Sequence, residues 1–179
     1  MERAFGSGKI ELLLGDITKV AADAIVTAAN SGLKGGGGVD GAVHRAAGPE
    51  LLKACKQVGG CDTGSAVITE AYDLQNIGVR FVIHAVGPIW RGGNSGEVDL
   101  LKNAYAKSLD LADTHDCSSV AFPSISTGVY HFPVAKAAPV AVSTAAKFLE
   151  NKAGKLEKVI FCLFDQKTFD VFETALRDS

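Results

Sequence analysis

The chain has 179 residues, of which 47% are hydrophobic and 21% charged, with a formal net charge of −2 at pH 7. This length and apolar fraction predict one domain over residues 1–179 and exclude a largely disordered chain. The balanced charge offers no bulk attraction for phosphate backbones, so nucleic acid is not expected as a partner.

The sequence contains neither a recognisable signal peptide nor a candidate membrane helix. Residues 1–8 lack the apolar segment of a signal peptide, and no apolar run approaches the ~18 residues that a membrane helix needs. We therefore expect a soluble, cytoplasmic protein with no membrane partner. The four cysteines, Cys55, Cys61, Cys117 and Cys162, form no C-x-x-C pair, which predicts reduced structural thiols rather than a zinc site or a disulfide framework.

Strand-like and helical runs alternate along the chain. Short apolar runs ending at turn residues predict strands over 10–14, 24–28, 65–71, 81–86, 120–122 and 158–164. Amphipathic or alanine-rich runs predict helices over 42–47, 49–58, 98–114, 134–149 and 169–176. Pro139 interrupts the fourth of these helices and weakens the prediction for its first turn. The alternation predicts an α/β domain with a largely parallel sheet covered on both faces.

The loop after the second predicted strand contains four adjacent glycines, residues 35–38, with Asn30 before them and Asp40 after them. Adjacent glycines carry a high entropic cost and are expected where backbone N–H groups approach a ligand closely. The helix start that follows adds a positive dipole end, which suits a phosphate. A floppy surface loop is the alternative, but it gives no reason for the flanking Asn30 and Asp40.

The same loop formally matches G-x-G-x-x-G through Gly36, Gly38 and Gly41. The preceding strand ends too far upstream for a dinucleotide-binding fingerprint, and the G-K-[ST] of a P-loop is absent. The match is therefore weak evidence for either nucleotide-binding motif.

Two other segments offer ligand contacts. Residues 124–130 follow a predicted strand and supply small hydroxylic residues and a glycine, which suit a second phosphate. Asp16 ends the first predicted strand and is either a helix cap or a carboxylate that accepts from an exocyclic amine such as that of adenine.

Four motifs together resemble the macro domain family. They are G-D-I-T at 15–18, A-A-N at 28–30, G-G-G-G-V-D-G-A-V-H at 35–44 and S-T-G-V-Y at 126–130. The resemblance is greatest to the MacroD-type branch, which includes bacterial O-acetyl-ADP-ribose deacetylases, and it covers about residues 10–176. It implies a three-layer α/β/α sandwich with a mixed, mostly parallel sheet that binds ADP-ribose.

The resemblance also implies a place for each site residue. Asp16 would hold the adenine amine beside the Ile17 backbone N–H, and Phe164 is either an adenine-stacking aromatic or a core residue. The distal ribose would be surrounded by Asn30, Asp40 and His44. The diphosphate would be enclosed by backbone and side chains of Gly37, Gly38, Val39, Ser126, Thr127, Gly128, Val129 and Tyr130.

One position departs from the family's N-A-A-N stretch, which here reads Thr27-Ala28-Ala29-Asn30. Threonine offers one hydroxyl in place of the amide's paired donors. This puts the rigidity of the loop and the reaction rate in question more than the identity of the ligand.

The implied reaction is ester hydrolysis at the distal ribose, on O-acetyl-ADP-ribose or on ADP-ribosylated proteins. No G-x-S-x-G elbow is present, and the histidines His44, His84, His115 and His131 lack metal-ligand spacing, so neither a cofactor nor a metal is expected. Water would attack, with Asp40 activating or positioning it, alone or with a substrate phosphate. The remaining alternatives are that His44 is an interior histidine and that Asp40 is a helix cap.

Three other functions stay open at this point. A non-catalytic ADP-ribose reader would carry similar glycine loops but would not need Asp40 and His44. A regulator that contacts RNA or a ribonuclease is known within the family, although the charge balance does not favour it. An NAD-dependent oxidoreductase is disfavoured by the spacing of the glycines.

Overall fold

The computed structural model describes all 179 residues. Its strands are β1 (Glu2–Phe5), β2 (Gly8–Leu14), β3 (Ala24–Ala28), β4 (Ser65–Glu70), β5 (Phe81–Val86), β6 (Ser119–Phe122) and β7 (Lys158–Leu163). Its α-helices are α1 (Gly38–Ala47), α2 (Pro49–Val58), α3 (Glu97–Thr114), α4 (Val134–Asn151) and α5 (Gln166–Arg177). Two 3-10 turns, Ile17–Lys19 and Tyr72–Ile77, complete the regular structure.

The strands form one sheet in the order β1-β2-β7-β6-β3-β5-β4. The five central strands are parallel, and the two edge strands, β1 and β4, run antiparallel to their neighbours. The predicted mixed, mostly parallel sheet is therefore confirmed. The parallel strands therefore occupy the buried centre of the sheet, as is usual for sheets covered on both faces.

The helices form a layer on each face of the sheet. Helices α3, α4 and α5 share the larger hydrophobic core, whereas α1, α2 and the 3-10 turns share the smaller one. Strand β7 shows how one strand serves both cores. Phe161 and Leu163 face the larger core, and Ile160 and Cys162 face the smaller one, because successive side chains of a strand point to opposite faces.

Strand β1 was missed by the sequence analysis. Its sequence, E-R-A-F, buries only Phe5, so it carries no alternation to detect. The strand is held by antiparallel pairing with β2, in which Glu2 lies opposite Glu11 and Phe5 opposite Gly8. An edge strand of this kind depends on its partner rather than on its own pattern.

Helix α4 is longer than expected and runs from Val134 through Pro139 without interruption. Proline has no N–H to donate to the carbonyl of Ala135, and its ring crowds that carbonyl. The helix persists because most of its remaining length packs an alanine-rich face against the core. None of the helices combines the length and the apolar character that crossing a bilayer requires.

Replacing the exposed Pro139 with alanine is expected to stabilise the protein by about 1–2 kcal/mol. The new N–H restores the missing helical hydrogen bond, and only part of this gain is offset by the greater freedom of the unfolded chain. The melting temperature should rise by roughly 2–8 °C for a domain of this size. A lower melting temperature, measured by circular dichroism, would show that the proline ring makes packing contacts that matter more than the hydrogen bond.

The sheet order brings the predicted ligand loops together. Strands β3 and β6 are parallel neighbours, with Ala24 opposite Val120, so the loops that leave their carboxyl ends lie side by side. Strands β2 and β7 are also parallel neighbours, with Leu14 opposite Leu163. Their ends place Asp16 and Phe164 at the same edge, which is where open α/β sheets bind ligands.

Candidate functional site

The glycine loop runs directly into the first turn of α1. The helix begins at Gly38, four residues earlier than predicted, and its N-cap residue Gly37 has no side chain to cap it. The first intrahelical bond is donated by Gly41 to the Gly37 carbonyl, at 3.1 Å. The N–H groups of Gly38, Val39 and Asp40 precede it and have no acceptor in the chain. This turn therefore offers three unpaired donors and a positive dipole end to an anion.

The space above these glycines is open. A Cβ built at Gly37 or at Gly38 would meet no atom within 4 Å. Gly35 and Gly38 also adopt positive φ angles, of 75° and 58°, which favour glycine. Gly41 differs, because a Cβ there would overlap the carbonyl oxygen of Gly36. The glycines thus keep the backbone accessible at one end of the loop and allow close packing at the other.

Asn30 holds the shape of the loop. Its amide nitrogen donates to the Gly35 carbonyl at 2.8 Å, and its Oδ1 accepts from the Lys34 N–H at 3.0 Å. One amide N–H and one lone pair of the half-buried side chain remain for a ligand. Through these two contacts, Asn30 therefore orders the loop.

Asp40 lies under the loop with a buried side chain. Its Oδ1 accepts from the Thr27 hydroxyl at 2.9 Å and lies 3.7 Å from His44 Nε2. Its Oδ2 makes no hydrogen bond within the chain and is not sealed from solvent. Burial raises the pKa of Asp40 above its usual range, and the Thr27 hydrogen bond and His44 oppose that shift. One carboxylate oxygen is thus anchored, and the other is available.

Thr27 has a definite role that the sequence analysis did not foresee. The residue is completely buried in β3, on the face of the sheet that α1 covers. Its hydroxyl orients the Asp40 carboxylate. The departure from the family's asparagine therefore retains a hydrogen-bond donor at the point where Asp40 needs one.

Changing Thr27 to valine should lower the free energy of unfolding by about 1–3 kcal/mol. Valine has the same shape but leaves Asp40 Oδ1 buried without a donor. Urea unfolding of the variant would measure the loss, with an unchanged m-value showing that two-state unfolding persists. Thr27→Ser is the matched control, because it keeps the hydroxyl and removes one methyl group. If valine were tolerated better than serine, the hydrogen bond to Asp40 would not be what stabilises this region.

The second loop, residues 123–133, is tightly held apart from its tip. Ser126 is buried with a φ of 68°, and its Oγ is the one buried side-chain oxygen or nitrogen without a partner. Thr127 Oγ1 donates to Ser124, within the loop. Gly128 and Val129 project into solvent, and the Val129 side chain is 86% exposed. A strained backbone and an orphaned hydroxyl commonly mark ligand-binding segments.

A third loop, which follows β5, supports the second and was missed as part of the site. Trp90 donates its backbone N–H to the Tyr130 carbonyl at 2.8 Å. Gly87 lies so close to Ser126 that a Cβ at residue 87 would overlap the Ser126 hydroxyl. The signal in the sequence was the glycine directly after a buried strand, which often indicates close backbone approach.

The residues predicted to bind adenine follow the carboxyl ends of β2 and β7. Asp16 Oδ1 accepts from the N–H and the hydroxyl of Thr18, at 2.9 and 2.7 Å, so Asp16 caps the 3-10 turn. These two hydrogen bonds lower its pKa. Ile17 is buried beside it, and the side chain of Phe164 is 85% exposed. The alternative that Phe164 is a core residue is therefore wrong, and a flat aromatic face is available near Asp16.

Three residues distant in sequence meet beneath α1. One ligand atom each from His44, Cys55 and His84 lies within 4.8 Å of the others, a group we call the His44–Cys55–His84 cluster. It was missed because spacing along the chain, such as the 29 positions from Cys55 to His84, gives no sign of it. His115 and His131 lie elsewhere and do not join this cluster.

Proteins of similar sequence match nearly the whole chain. A macro domain-containing protein from Chlorobaculum tepidum is 54% identical over 167 residues, which cover 93% of this chain and 95% of that protein. A protein from Citrobacter rodentium named O-acetyl-ADP-ribose deacetylase is 51% identical over 174 residues, covering 95% of this chain and 96% of the relative.

Solved structures give the same result. The Oceanobacillus iheyensis macrodomain with ADP is 40% identical with a TM-score of 0.93, covering 99% of this chain and 95% of that one. The Trypanosoma brucei macrodomain in complex with ADP-ribose is 39% identical with a TM-score of 0.85, covering 93% and 68%. The family model of the macro domain matches residues 26–141. Because this match spans more than half of a chain whose relatives are about 50% identical, the chain belongs to the macro domain family.

Proposed function

We propose that this protein is a cytoplasmic hydrolase that binds ADP-ribose and cleaves an ester at its distal ribose. The substrates would be O-acetyl-ADP-ribose and proteins that carry mono-ADP-ribose on acidic residues. The observation that carries the proposal is the position of Asp40. Its carboxylate is anchored through Oδ1, has no hydrogen-bond partner at Oδ2, and is located in the same helical turn that presents unpaired N–H groups.

The binding half of the proposal rests on the donors of two loops. The N–H groups of Gly38 and Val39 would take one phosphate, and the backbone around Ser126 would take the other. Phe164 and Asp16 would bind adenine at the carboxyl ends of β7 and β2. The aromatic ring would stack on the base, and the carboxylate would accept a hydrogen bond through its free Oδ2. The Oceanobacillus iheyensis and Trypanosoma brucei macrodomains, with ADP and ADP-ribose respectively, support this choice of ligand.

The chemical half of the proposal is attack by water. For the acetyl ester, the water oxygen bonds to the acyl carbon while Asp40 accepts a proton from the water. The bond from the acyl carbon to the ribose oxygen then breaks, the ribose oxygen takes the proton held by Asp40, and acetic acid leaves ADP-ribose and loses its own proton to solvent. Asn30 would orient the ribose, and His44 would keep Asp40 in place. Relatives named O-acetyl-ADP-ribose deacetylase support this reaction class.

A non-catalytic ADP-ribose reader is the competing function, and one observation favours it. Asp40 is buried and spends one oxygen on Thr27, so its carboxylate has less freedom to reach a water. The glycine loop would bind ADP-ribose equally well in a reader. The two functions differ only in turnover.

Parallel single-turnover assays test the proposal. Excess wild-type protein is mixed with O-acetyl-ADP-ribose and, separately, with a protein mono-ADP-ribosylated on glutamate, and free ADP-ribose is followed by chromatography. We expect ADP-ribose to be released from at least one substrate faster than from its spontaneous hydrolysis. Binding of ADP-ribose without release from either substrate would establish the reader instead. Release from only one substrate would define which ester is cleaved.

A further inference from the structure

The His44–Cys55–His84 cluster brings one thiol and two imidazoles together from three separate elements. His44 lies in α1, Cys55 in α2 and His84 in β5. Cys55 Sγ is 3.8 Å from His84 Nδ1, and one ligand atom from each residue lies within 4.8 Å of the others. Neither the fold nor the proposed hydrolysis requires these three side chains to converge.

Two of the three side chains are shielded from water. Cys55 and His84 are 1% and 0% exposed. A cation held between them would be screened from solvent, and a coordinating thiol loses its proton when the ion binds.

The surroundings also resemble those of metal ligands. Thr69 Oγ1 lies 3.0 Å from His84 Nε2, which leaves Nδ1 free to bind an ion. Ligating histidines almost always make such a bond through their second nitrogen. On the other side, Asp40 Oδ1 lies 3.7 Å from His44 Nε2 and places a carboxylate next to the cluster. A cation would be favoured by that charge.

Zinc binding requires the side chains of the cluster to move closer together. With Zn–S near 2.3 Å and Zn–N near 2.0–2.1 Å, a tetrahedral site separates its ligand atoms by roughly 3.3–3.6 Å. Cys55 Sγ lies 3.8 Å from His84 Nδ1 and 3.9 Å from His84 Nε2, so the imidazole must turn to direct its Nδ1 lone pair at the ion. The side chain of His44 is 16% exposed and is the least enclosed of the three.

Solvent reaches the cluster at the junction of α1 and α2. A depression of about 320 Å³ is lined by His44 together with Gly35, Gly48, Pro49 and Leu52 at the α1–α2 junction, with Arg45 at its side. An ion can therefore arrive at His44 without passing through the buried core. This provides the entry path that a metal site requires.

We propose that His44, Cys55 and His84 bind one zinc ion, with a fourth coordination position left open. Two imidazoles and one thiolate match the preference of Zn²⁺, whereas Mg²⁺ and Ca²⁺ prefer oxygen ligands. The site goes beyond the proposed hydrolysis and holds whether the domain is a hydrolase or a reader.

Cobalt substitution tests the site without any activity measurement. Chelator-treated protein is titrated with Co²⁺, and the thiolate-to-cobalt charge-transfer band in the near ultraviolet is recorded. We expect the band to saturate at one equivalent and to disappear when Zn²⁺ is added. Zinc affinity, measured by competition with a chromophoric chelator, gives the strength of binding.

Two cysteine variants provide the matched comparison. Cys55→Ser should abolish the band and lower zinc affinity at least about 100-fold. Cys61→Ser removes the half-buried cysteine outside the cluster and should leave both unchanged. A band that is absent from the wild type, survives Cys55→Ser or is lost in Cys61→Ser overturns the proposal.

His44→Ala guards against misfolding of the Cys55 variant. Far-ultraviolet circular dichroism of each metal-free variant establishes that it is folded. His44 lies at the edge of the buried region, and its loss should weaken zinc binding at least about tenfold while the thiolate band remains detectable at higher Co²⁺. Unchanged zinc affinity in this folded variant would equally overturn the proposal.

Discussion

Asp40→Ala is expected to lower kcat for the deacetylation of O-acetyl-ADP-ribose by about 10²–10⁴-fold, the usual contribution of a general base. Affinity for ADP-ribose should change by less than about tenfold, or 1.4 kcal/mol. The reason for the difference is structural, because the unpaired N–H groups of Gly38 and Val39 belong to the backbone and do not need the carboxylate. Single-turnover chemistry measures the first quantity, and calorimetric titration with ADP-ribose measures the second.

Asp40→Asn is the matched control. The asparagine amide can still accept from the Thr27 hydroxyl, as Asp40 Oδ1 does at 2.9 Å, but it cannot accept a proton from water. It should be about as inactive as the alanine variant and better folded. If both variants kept full turnover together with ADP-ribose binding, Asp40 would not be the catalytic residue, and a substrate phosphate would be the remaining group to activate the water.

The features that sequence predicted well are those encoded by contiguous residues. Strand β3 is a short apolar run ended by polar residues, and the four adjacent glycines of the loop that follows are a pattern expected where backbone approaches a ligand closely. The parallel pairing of β3 with β6 then follows from the alternation of strands and helices. For the same reason, the position of two ligand loops at one edge of the sheet was predictable before any contact was known.

The features that sequence missed depend on tertiary contacts. Strand β1 exists only through its pairing with β2. The hydrogen bond from Thr27 to Asp40 spans 13 positions, and its two residues meet only when α1 packs over β3. The exposure of Phe164 likewise depends on where β7 stops, one residue earlier than predicted. The periodicity of apolar residues along the chain predicts helices and strands, whereas these features depend on which elements pack against each other.

Gly41→Ala is expected to destabilise the protein by about 1–3 kcal/mol and to weaken ADP-ribose binding at least about tenfold. Two effects oppose each other here. At an exposed helix position, alanine is more stable than glycine by about 1 kcal/mol. At the buried position 41, however, a Cβ would overlap the backbone carbonyl oxygen of Gly36. A carbonyl cannot rotate away as a flexible side chain can, so the loop must move and carry its N–H groups with it.

Gly37→Ala separates binding from stability. Its φ of −95° suits any residue, and a Cβ there would contact nothing within 4 Å. Thermal and urea unfolding should show a stability within about 1 kcal/mol of the wild type, because the lower entropy of the unfolded chain offsets the poorer N-cap. The new methyl group would occupy the space proposed for the diphosphate, and ADP-ribose affinity should still fall. Loss of affinity in both variants, with loss of stability only in Gly41→Ala, would assign Gly37 to ligand approach and Gly41 to packing. Unchanged affinity in Gly37→Ala would place the diphosphate away from the glycine loop.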